Sequence, residues 1–214
     1  MADAQAQILD AAEALFARQG FAATTIKAIG HQAAVNPALL YYYFPDKAQL
    51  YHAVLERRLA TAAREVAQKL RPDAPAPEAI AQAIRAYATL MRQTPYLPRL
   101  IARELADHEA AHALPLIREI AAGLFQRLCE VIRRGQDRGE LRADLAPQFA
   151  AISTIAQVAW FFVAQPAVSR LLGFDGAVPA DEIERYTEHV IRYAMAALTP
   201  DARRPTRARK RARR

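Results

Sequence analysis

The sequence predicts an all-α protein with two parts, a short N-terminal unit of three helices and a longer C-terminal helical bundle. Apolar residues recur at the three- and four-residue spacing of amphipathic helices along most of the chain. No stretch shows the clean apolar-polar alternation that is typical of a half-buried strand. The 214 residues are 53% hydrophobic, which is ample for a buried core.

The first two helices are predicted from an apolar face and from the residues that end or cap each helix. Ile8, Leu15 and Phe16 repeat at helical spacing, and Gly20 is expected to end this helix because glycine adopts the left-handed C′ conformation at low cost. The hydroxyls of Thr24 and Thr25 suit the N-cap of a second helix. A helix, a stop and a second helix are therefore expected before residue 34.

The third helix is predicted over Pro37–Tyr43. Asn36 is a favourable N-cap, and proline suits the first helical position because its missing N–H would be unpaired there anyway. Leu40 and Phe44 are four residues apart and are expected to share its buried face. Three consecutive tyrosines on so short a helix cannot all be buried. Part of this helix is therefore expected to face outward.

This arrangement is how a protein presents a helix to the major groove of DNA. Tyrosine combines an apolar ring with a hydroxyl that reaches phosphate oxygen. Asp46 is expected to cap a fourth helix with Lys47 at its start. A phosphate there would meet both the lysine and the free N–H groups of the helix end.

Residues 8–55 resemble the N-terminal DNA-binding domain of the tetracycline-repressor (TetR) family of bacterial transcription regulators. The resemblance rests on ILDAAEALF, GFAATTIKAI, AAV in the turn and LLYYYF, followed by Lys47 and Leu50. It implies a repressor that binds a palindromic operator as a homodimer and is released by a small, fairly apolar effector. It implies base contacts by Thr25, Lys27, Pro37, Ala38 and Leu39, and phosphate contacts by Tyr41, Tyr43 and Lys47. Tyr42, which we expect to face outward, is a further candidate for phosphate contact.

Three positions depart from the family pattern. Ala34 stands in the turn where glycine is usual, and an alanine with positive φ costs on the order of 1 kcal/mol. Gly30 stands inside the second helix where alanine is usual, which weakens the helix by about 1 kcal/mol. Tyr43 stands where histidine is common, a change that keeps the capacity to bind phosphate.

We expect a helix-turn-helix DNA-binding domain over residues 1–47, a ligand-binding and dimerisation domain over 48–200, and a disordered basic tail over 201–214. The later helices are predicted at Asp46 to about Leu70, Glu78–Gln93, after Pro98, Leu114–Arg138, from Pro147, and Ala180–Leu198. Because the helices near 147–164 and 180–198 are apolar on more than one side, they are candidates for a four-helix dimer interface.

The resemblance also implies a ligand pocket within the C-terminal helices. The candidate lining residues are bulky or polar residues at inward positions, and for each of them ordinary core packing is the alternative. These residues are Tyr87, Met91, Arg103, Phe125, Gln157, Trp160 and Phe161.

The formal net charge of +7 lies in the last fourteen residues. Residues 201–214 hold eight of the 29 basic residues and one of the 22 acidic residues, so the rest of the chain balances at 21 against 21. Such a segment lacks the apolar residues needed to fold. Its two interpretations are a source of sequence-independent phosphate affinity and a solvated terminus.

One motif suggests a different chemistry. His108, Glu109 and His112 form an HEAAH sequence, and histidines four apart on a helix can chelate zinc. Glu130 and Glu140 are the candidate third ligands. A zinc hydrolase therefore remains the remote alternative, and a ligand-independent architectural DNA-binding protein is the nearer one. The main hypothesis is a regulator with no catalytic residues, no bound metal and no cofactor.

Composition also bounds the setting of the protein. A single cysteine, Cys129, excludes an internal disulfide framework and fits a reducing cytoplasm. No basic-then-apolar signal segment is visible at the N-terminus. The most apolar run, Phe149–Val163, is shorter than a membrane span of about 20 residues. We therefore expect a cytoplasmic protein without membrane segments.

Overall fold

The computed structural model describes residues 2–71, 73–107 and 122–200. These ranges contain ten helices and no strand, so the all-α prediction is confirmed for the described chain. The helices are α1 (Ala2–Ala23), α2 (Ile26–Gln32), α3 (Pro37–Tyr43), α4 (Lys47–Ala67), α5 (Ala76–Gln93), α6 (Tyr96–Asp107), α7 (Ala122–Asp137), α8 (Pro147–Val163), α9 (Gln165–Leu171) and α10 (Ala180–Leu198).

The helix bounds predicted from the sequence agree for α3 and α10, and those of α6 are corrected. That helix begins at Tyr96, so Pro98 lies within its first turn, where a missing N–H costs no hydrogen bond. The HEAAH motif at 108–112 and the first part of the helix predicted from Leu114 lie outside the described residues. The tail at 201–214 also lies outside them, and its disorder stays a prediction.

Gly20 interrupts α1 as expected. Its φ of 82° is in the left-handed region, where glycine carries no steric penalty. The chain then turns through Phe21 to Ala23, and the buried Thr24 donates from its hydroxyl to the Gly20 carbonyl at 2.7 Å. The turn brings the chain to the start of α2.

The buried side chains form two hydrophobic clusters. The N-terminal cluster is built by α1 to α4 and includes Leu100 of α6. The C-terminal cluster runs from the end of α4 through α10. Helix α4 contributes Leu50 and Val54 to the first cluster and Val66 to the second, so one continuous helix joins the two cores. The N-terminal core thus continues past residue 47, and the domain boundary drawn there stays a prediction.

A buried carboxylate fixes α1 against α4. Glu13 is only 2% exposed, and Arg58 Nε donates to both of its oxygens at 2.8 Å. Arg57 donates to Glu13 at 3.2 Å and to Asp10 at 2.7 Å. Because a buried charge is costly unless it is paired, these contacts set the position of α4 on α1. The sequence pattern did not reveal this link, since the partners are more than forty residues apart.

No single described helix is long and apolar enough to cross a membrane. Helices α8 and α9 pass that test only when taken together, and they are bent by 82° relative to each other.

Candidate DNA-binding surface and ligand cavity

Three side chains cap the helices of the helix-turn-helix, as the sequence predicts. Thr25 accepts from the Ala28 N–H at 3.1 Å, and Asn36 accepts from the Ala38 N–H at 2.9 Å. Asp46 accepts from the N–H of Gln49 at 2.7 Å at the start of α4. Each cap satisfies a backbone donor that the helix itself leaves free, and so fixes where the helix begins.

The turn between α2 and α3 is a Schellman motif closed by Ala34. The N–H of Val35 donates to the Gly30 carbonyl at 3.0 Å, and the N–H of Ala34 donates to the His31 carbonyl at 3.2 Å. Ala34 has a φ of 54°, the only positive value outside glycine among the described residues. The positive φ expected at this position is therefore confirmed.

Gly30 has a packing role that was not apparent from the sequence, where it only departs from the family pattern. A Cβ at this position would lie 3.2 Å from the Val35 carbonyl oxygen, which is a tight contact. Glycine therefore lets the turn close against α2, at the cost of the helix propensity that alanine would supply.

The five residues expected to contact bases lie on the exposed surface of α2 and α3. Leu39 is 37% exposed, while its neighbour Leu40 is fully buried in the N-terminal core. The exposed set is Thr25, Lys27, Pro37, Ala38 and Leu39. The helix therefore has a buried face that fixes its position and an outward face free to enter a groove. Their contacts with bases stay a prediction.

The tyrosine triplet divides between surface and core. Tyr41 and Tyr42 are exposed by 53% and 76%, so their hydroxyls are accessible to a phosphate. Tyr43 is partly buried against the N-terminal cluster, and its ring meets that of Tyr42 edge-on at 5.3 Å. Phe44 is buried, as expected. The ring of Tyr43 therefore packs against the domain while Tyr41 and Tyr42 point outward.

Lys47 takes a position that the sequence did not predict. Its ammonium donates to the carbonyl oxygens of Phe21 at 2.8 Å and Thr24 at 3.0 Å, with Ala22 at 3.4 Å. It also lies 4.4 Å from the centroid of the Phe21 ring. These contacts satisfy the three donors of the ammonium inside the protein. Lys47 therefore links the start of α4 to the end of α1 and to Thr24, which follows it. A phosphate contact by this residue stays a prediction.

The C-terminal cluster encloses an apolar cavity of about 170 Å³. Its walls come from five helices, α4 to α8, and none of the lining residues that the structure describes is charged. Among the described lining residues, Tyr87 and Thr154 are those with a hydroxyl. The Thr154 hydroxyl donates to the Ala150 carbonyl at 2.8 Å, whereas within the described chain the Tyr87 hydroxyl has no hydrogen-bond partner. Burial raises the pKa of Tyr87 to about 12.

Three of the seven residues predicted to line a pocket do so: Tyr87, Met91 and Phe125. The other four are not among the residues that line this cavity, and their part in an effector site stays a prediction. The guanidinium of Arg103 donates to carbonyls of α1, and the indole of Trp160 is 67% exposed. The amide of Gln157 donates along its own helix, and Phe161 stacks on Tyr186 with ring centroids 4.1 Å apart.

The sequence missed the aliphatic wall that dominates the cavity. In the sequence, Leu59 and Val66 of α4 and Ile101 of α6 resemble ordinary core residues. Helical periodicity shows that a residue points inward, but it does not show whether that residue packs against other side chains or lines a cavity.

Helices α8 and α10 expose large apolar side chains. Phe149, Ile152 and Trp160 of α8 are 73%, 52% and 67% exposed, and their spacing places them on one face. Tyr193 of α10 is 60% exposed. Such an apolar surface is typical of an interface with another protein.

No group of three or more histidine, cysteine, aspartate or glutamate side chains that could hold a metal occurs among the described residues. Cys129 is a buried free thiol whose pKa is raised by burial, which disfavours the thiolate needed for nucleophilic attack.

The fold and the capped, outward-facing α3 define a helix-turn-helix protein whose C-terminal helices surround a cavity. Residues 8–54 match the family of bacterial regulatory proteins called the tetR family, and residues 77–193 match the tetracyclin repressor-like C-terminal domain. The chain belongs to the tetR family of bacterial regulatory proteins and is a DNA-binding transcriptional regulator.

Individual relatives agree with this placement. The chain is 30% identical over 162 residues to the HTH-type transcriptional repressor NicS of Pseudomonas putida, covering 72% of this chain and 73% of NicS. The fold is similar to that of the fatty acid degradation regulator FadR from Bacillus halodurans, with a TM-score of 0.73, 16% identity, and coverage of 90% and 94%. It is also similar to FadR from Bacillus subtilis in complex with stearoyl-CoA, with a TM-score of 0.72, 19% identity, and coverage of 89% and 97%.

Proposed function

We propose that this regulator is a homodimeric repressor that binds a pseudo-palindromic operator and releases it when a small molecule enters the C-terminal cavity. The observation that carries the proposal is the pairing of an exposed, capped α3 with an apolar cavity that shares α4 with the DNA-binding core. The proposal places the protein in the cytoplasm, where the DNA is.

Base recognition is assigned to the outward face of α2 and α3. Leu39 and Ala38 offer apolar surface to a thymine methyl group, and Lys27 offers a cation to guanine. Tyr41 and Tyr42 supply hydroxyls for phosphate, which fix the register of the helix without reading sequence. Both kinds of contact are needed for a defined operator.

Dimerisation is assigned to the exposed apolar face of α8 and α10. One short helix contacts too few bases for useful specificity, so two copies related by a twofold axis would read two half-sites. Phe149, Ile152 and Trp160 lie on one exposed face of α8 that a second copy of the chain could cover. Sedimentation of Trp160→Glu and of Arg127→Glu, an exposed control on α7, tests this: only the first is expected to yield monomers.

Release by an effector is assigned to α4. Leu59, Ala63 and Val66 line the cavity, and Leu50 and Val54 of the same helix pack in the DNA-binding core. A molecule that fits the cavity only when α4 is displaced would favour the state that does not bind DNA. Stearoyl-CoA bound to the structurally similar B. subtilis regulator is consistent with an apolar effector.

The direct test of base recognition compares two exposed leucines. Leu39→Ala removes one from α3, and Leu171→Ala removes one from α9, where the side chain is 86% exposed. Affinities are measured for an operator, obtained by selection, and for duplexes carrying each single base change. Leu39→Ala is expected to alter the ranking of these duplexes, while Leu171→Ala leaves it unchanged. Uniform weakening by Leu39→Ala would show that α3 does not read bases there.

The basic segment 201–214 is assigned sequence-independent affinity for DNA phosphate. Its removal is expected to lower the slope of log affinity against log salt while the preferred sequence stays the same. An architectural protein would differ, because it would show no preferred sequence and no response to small molecules.

A further inference from the structure

The apolar cavity lined by α4 to α8 has the size of a small ring compound. Its volume is about 170 Å³. A cavity of roughly 150 Å³ lined by aliphatic and aromatic side chains stays free of water and binds benzene. The described lining residues are apolar except for Tyr87 and Thr154. Such a space favours a compact apolar molecule, and these two hydroxyls decide which polar group that molecule can carry.

The two hydroxyls differ in what they already bind. The Thr154 hydroxyl donates to the Ala150 carbonyl of its own helix at 2.8 Å, so its proton is committed. The Tyr87 hydroxyl forms no hydrogen bond within the described chain, although it is buried enough for its pKa to rise to about 12. A buried tyrosine usually finds a partner, as Tyr186 does by donating to the Gln157 carbonyl at 2.9 Å.

An unpaired donor in this place has a cost that phenylalanine would avoid. A hydroxyl buried without a partner costs about 1–3 kcal/mol, whereas the ring alone fills the same space. A water molecule is a poor partner here, because an ordered water needs two to four polar contacts and the described lining offers the hydroxyls of Tyr87 and Thr154. The raised pKa keeps the phenol of Tyr87 protonated at neutral pH, so it can donate. The cavity therefore suits a ligand that supplies an acceptor to Tyr87.

We propose that the effector is an uncharged molecule about the size of a substituted benzene, with one acceptor group that binds the Tyr87 hydroxyl. The proposal rests on the effector response proposed above and names the chemical class of that effector. A charged group would lose its hydration on entering this apolar space. A pure hydrocarbon would fit the space but would leave the hydroxyl unpaired.

The test compares three probes that share a benzene ring, namely ethylbenzene, acetophenone and benzoate. Ethylbenzene has no acceptor, acetophenone has a neutral carbonyl group, and benzoate is charged at neutral pH. Binding to the full-length protein is measured by isothermal titration calorimetry. Ethylbenzene and acetophenone are both expected to bind. Benzoate is expected to bind at least about ten times more weakly than acetophenone, because its charge would be desolvated in the cavity.

The role of the hydroxyl is tested by Tyr87→Phe, which removes the hydroxyl and keeps the ring. This variant is expected to weaken acetophenone binding about three- to tenfold, the value of one hydrogen bond, and to leave ethylbenzene binding unchanged. The control is Tyr96→Phe at the start of α6, where the ring packs against the N-terminal cluster. It is expected to change neither affinity. Comparing two probes in one variant also cancels any general effect of the substitution on the fold.

The location of the probes is tested by narrowing the cavity from α4. Ala63 lines the cavity, and the extra carbons of Ala63→Leu occupy space that a ring would use. Both neutral probes are therefore expected to bind about tenfold more weakly. Ala48→Leu, at an exposed position of the same helix, is expected to leave both affinities unchanged. Thermal melting checks that each variant is folded.

Equal weakening of both neutral probes by Tyr87→Phe would overturn the assignment of this hydroxyl. Tighter binding of benzoate than of acetophenone, or no binding of either neutral probe, would overturn the class of effector. Acetophenone binding that depends on Tyr87 but leaves operator affinity unchanged would support the class of ligand and contradict release through this cavity. Operator affinity, measured in the same samples, therefore separates failure of the ligand assignment from failure of the proposed function.

Discussion

Replacing Ala34 by glycine should stabilise the protein although it removes a side-chain atom. At a φ of 54° an L-residue with a Cβ is strained by about 1–2 kcal/mol, and glycine relieves that strain. Glycine also gives the unfolded chain more freedom, which costs about 0.4–1 kcal/mol. Ala34 is exposed, so no buried contact is lost. The net gain is about 0.5–1 kcal/mol, or about 1–4 °C in Tm for a chain of this size.

Urea denaturation of Ala34→Gly and Ala48→Gly measures the effect against a matched control. Ala48 is exposed and right-handed in α4, so glycine there should destabilise by up to about 1 kcal/mol. The two variants are expected to shift the urea midpoint in opposite directions. Equal destabilisation would show that the turn carries no strain at Ala34, and the account of the Schellman turn would be wrong.

Three further predictions concern the contacts of Lys47, the cavity residue Tyr87 and the packing of α7. Lys47→Met keeps the alkyl stem over Phe21 but removes three hydrogen bonds, so we expect the free energy of unfolding to fall by about 2 kcal/mol. The slope of log DNA affinity against log salt is expected to stay unchanged. A slope lower by about one would instead reveal a phosphate contact. Burial raises the pKa of Tyr87 to about 12, so the unfolded chain loses this proton at a lower pH than the folded protein does. The free energy of unfolding is therefore expected to fall by about 2–3 kcal/mol between about pH 10 and pH 12. Alkaline titration of stability should show this loss in the wild type and not in Tyr87→Phe. Gly135→Ala places a Cβ 2.5 Å from the Cβ of Ala76 and should cost about 1–3 kcal/mol in chemical denaturation, whereas Gly123→Ala, with nothing within 4 Å, should be neutral or stabilising.

Local sequence signals predicted the DNA-binding end well because its structure depends on neighbouring residues. The caps at Thr25, Asn36 and Asp46 act within three residues of themselves, and the structure confirms all three. The positive φ of Ala34 follows from the turn that a helix-turn-helix requires. Features of this kind are visible in a single sequence.

The features that the sequence did not predict depend on residues far apart in the chain. Gly123 and Gly135 look alike in the sequence, and packing against Ala76 and Leu141 distinguishes Gly135. Arg103 was expected at a pocket as a polar residue at an inward position, and in the structure it donates to backbone carbonyls of α1. Every residue has a backbone carbonyl group, so a sequence pattern cannot predict which carbonyls will accept a hydrogen bond from a distant side chain.

A cleft lined by Arg18, Arg92, Arg99 and Arg103 was missed for the same reason. Arg18, Arg92 and Arg99 come from three separate helices, and each one alone is an ordinary exposed residue. The overall charge of the chain did not reveal them either, since the excess lies in residues 201–214. Only the tertiary arrangement brings the charges together.

Selection of bound duplexes from a random library tests the central claim most directly. Full-length protein is incubated with the library in about 150 mM salt, retained duplexes are sequenced, and the enriched sequences are aligned. The account predicts a pseudo-palindromic consensus whose half-sites are separated by about one helical turn or a multiple of it. Uniform, salt-sensitive retention without a consensus would contradict a sequence-specific dimeric repressor and favour an architectural role.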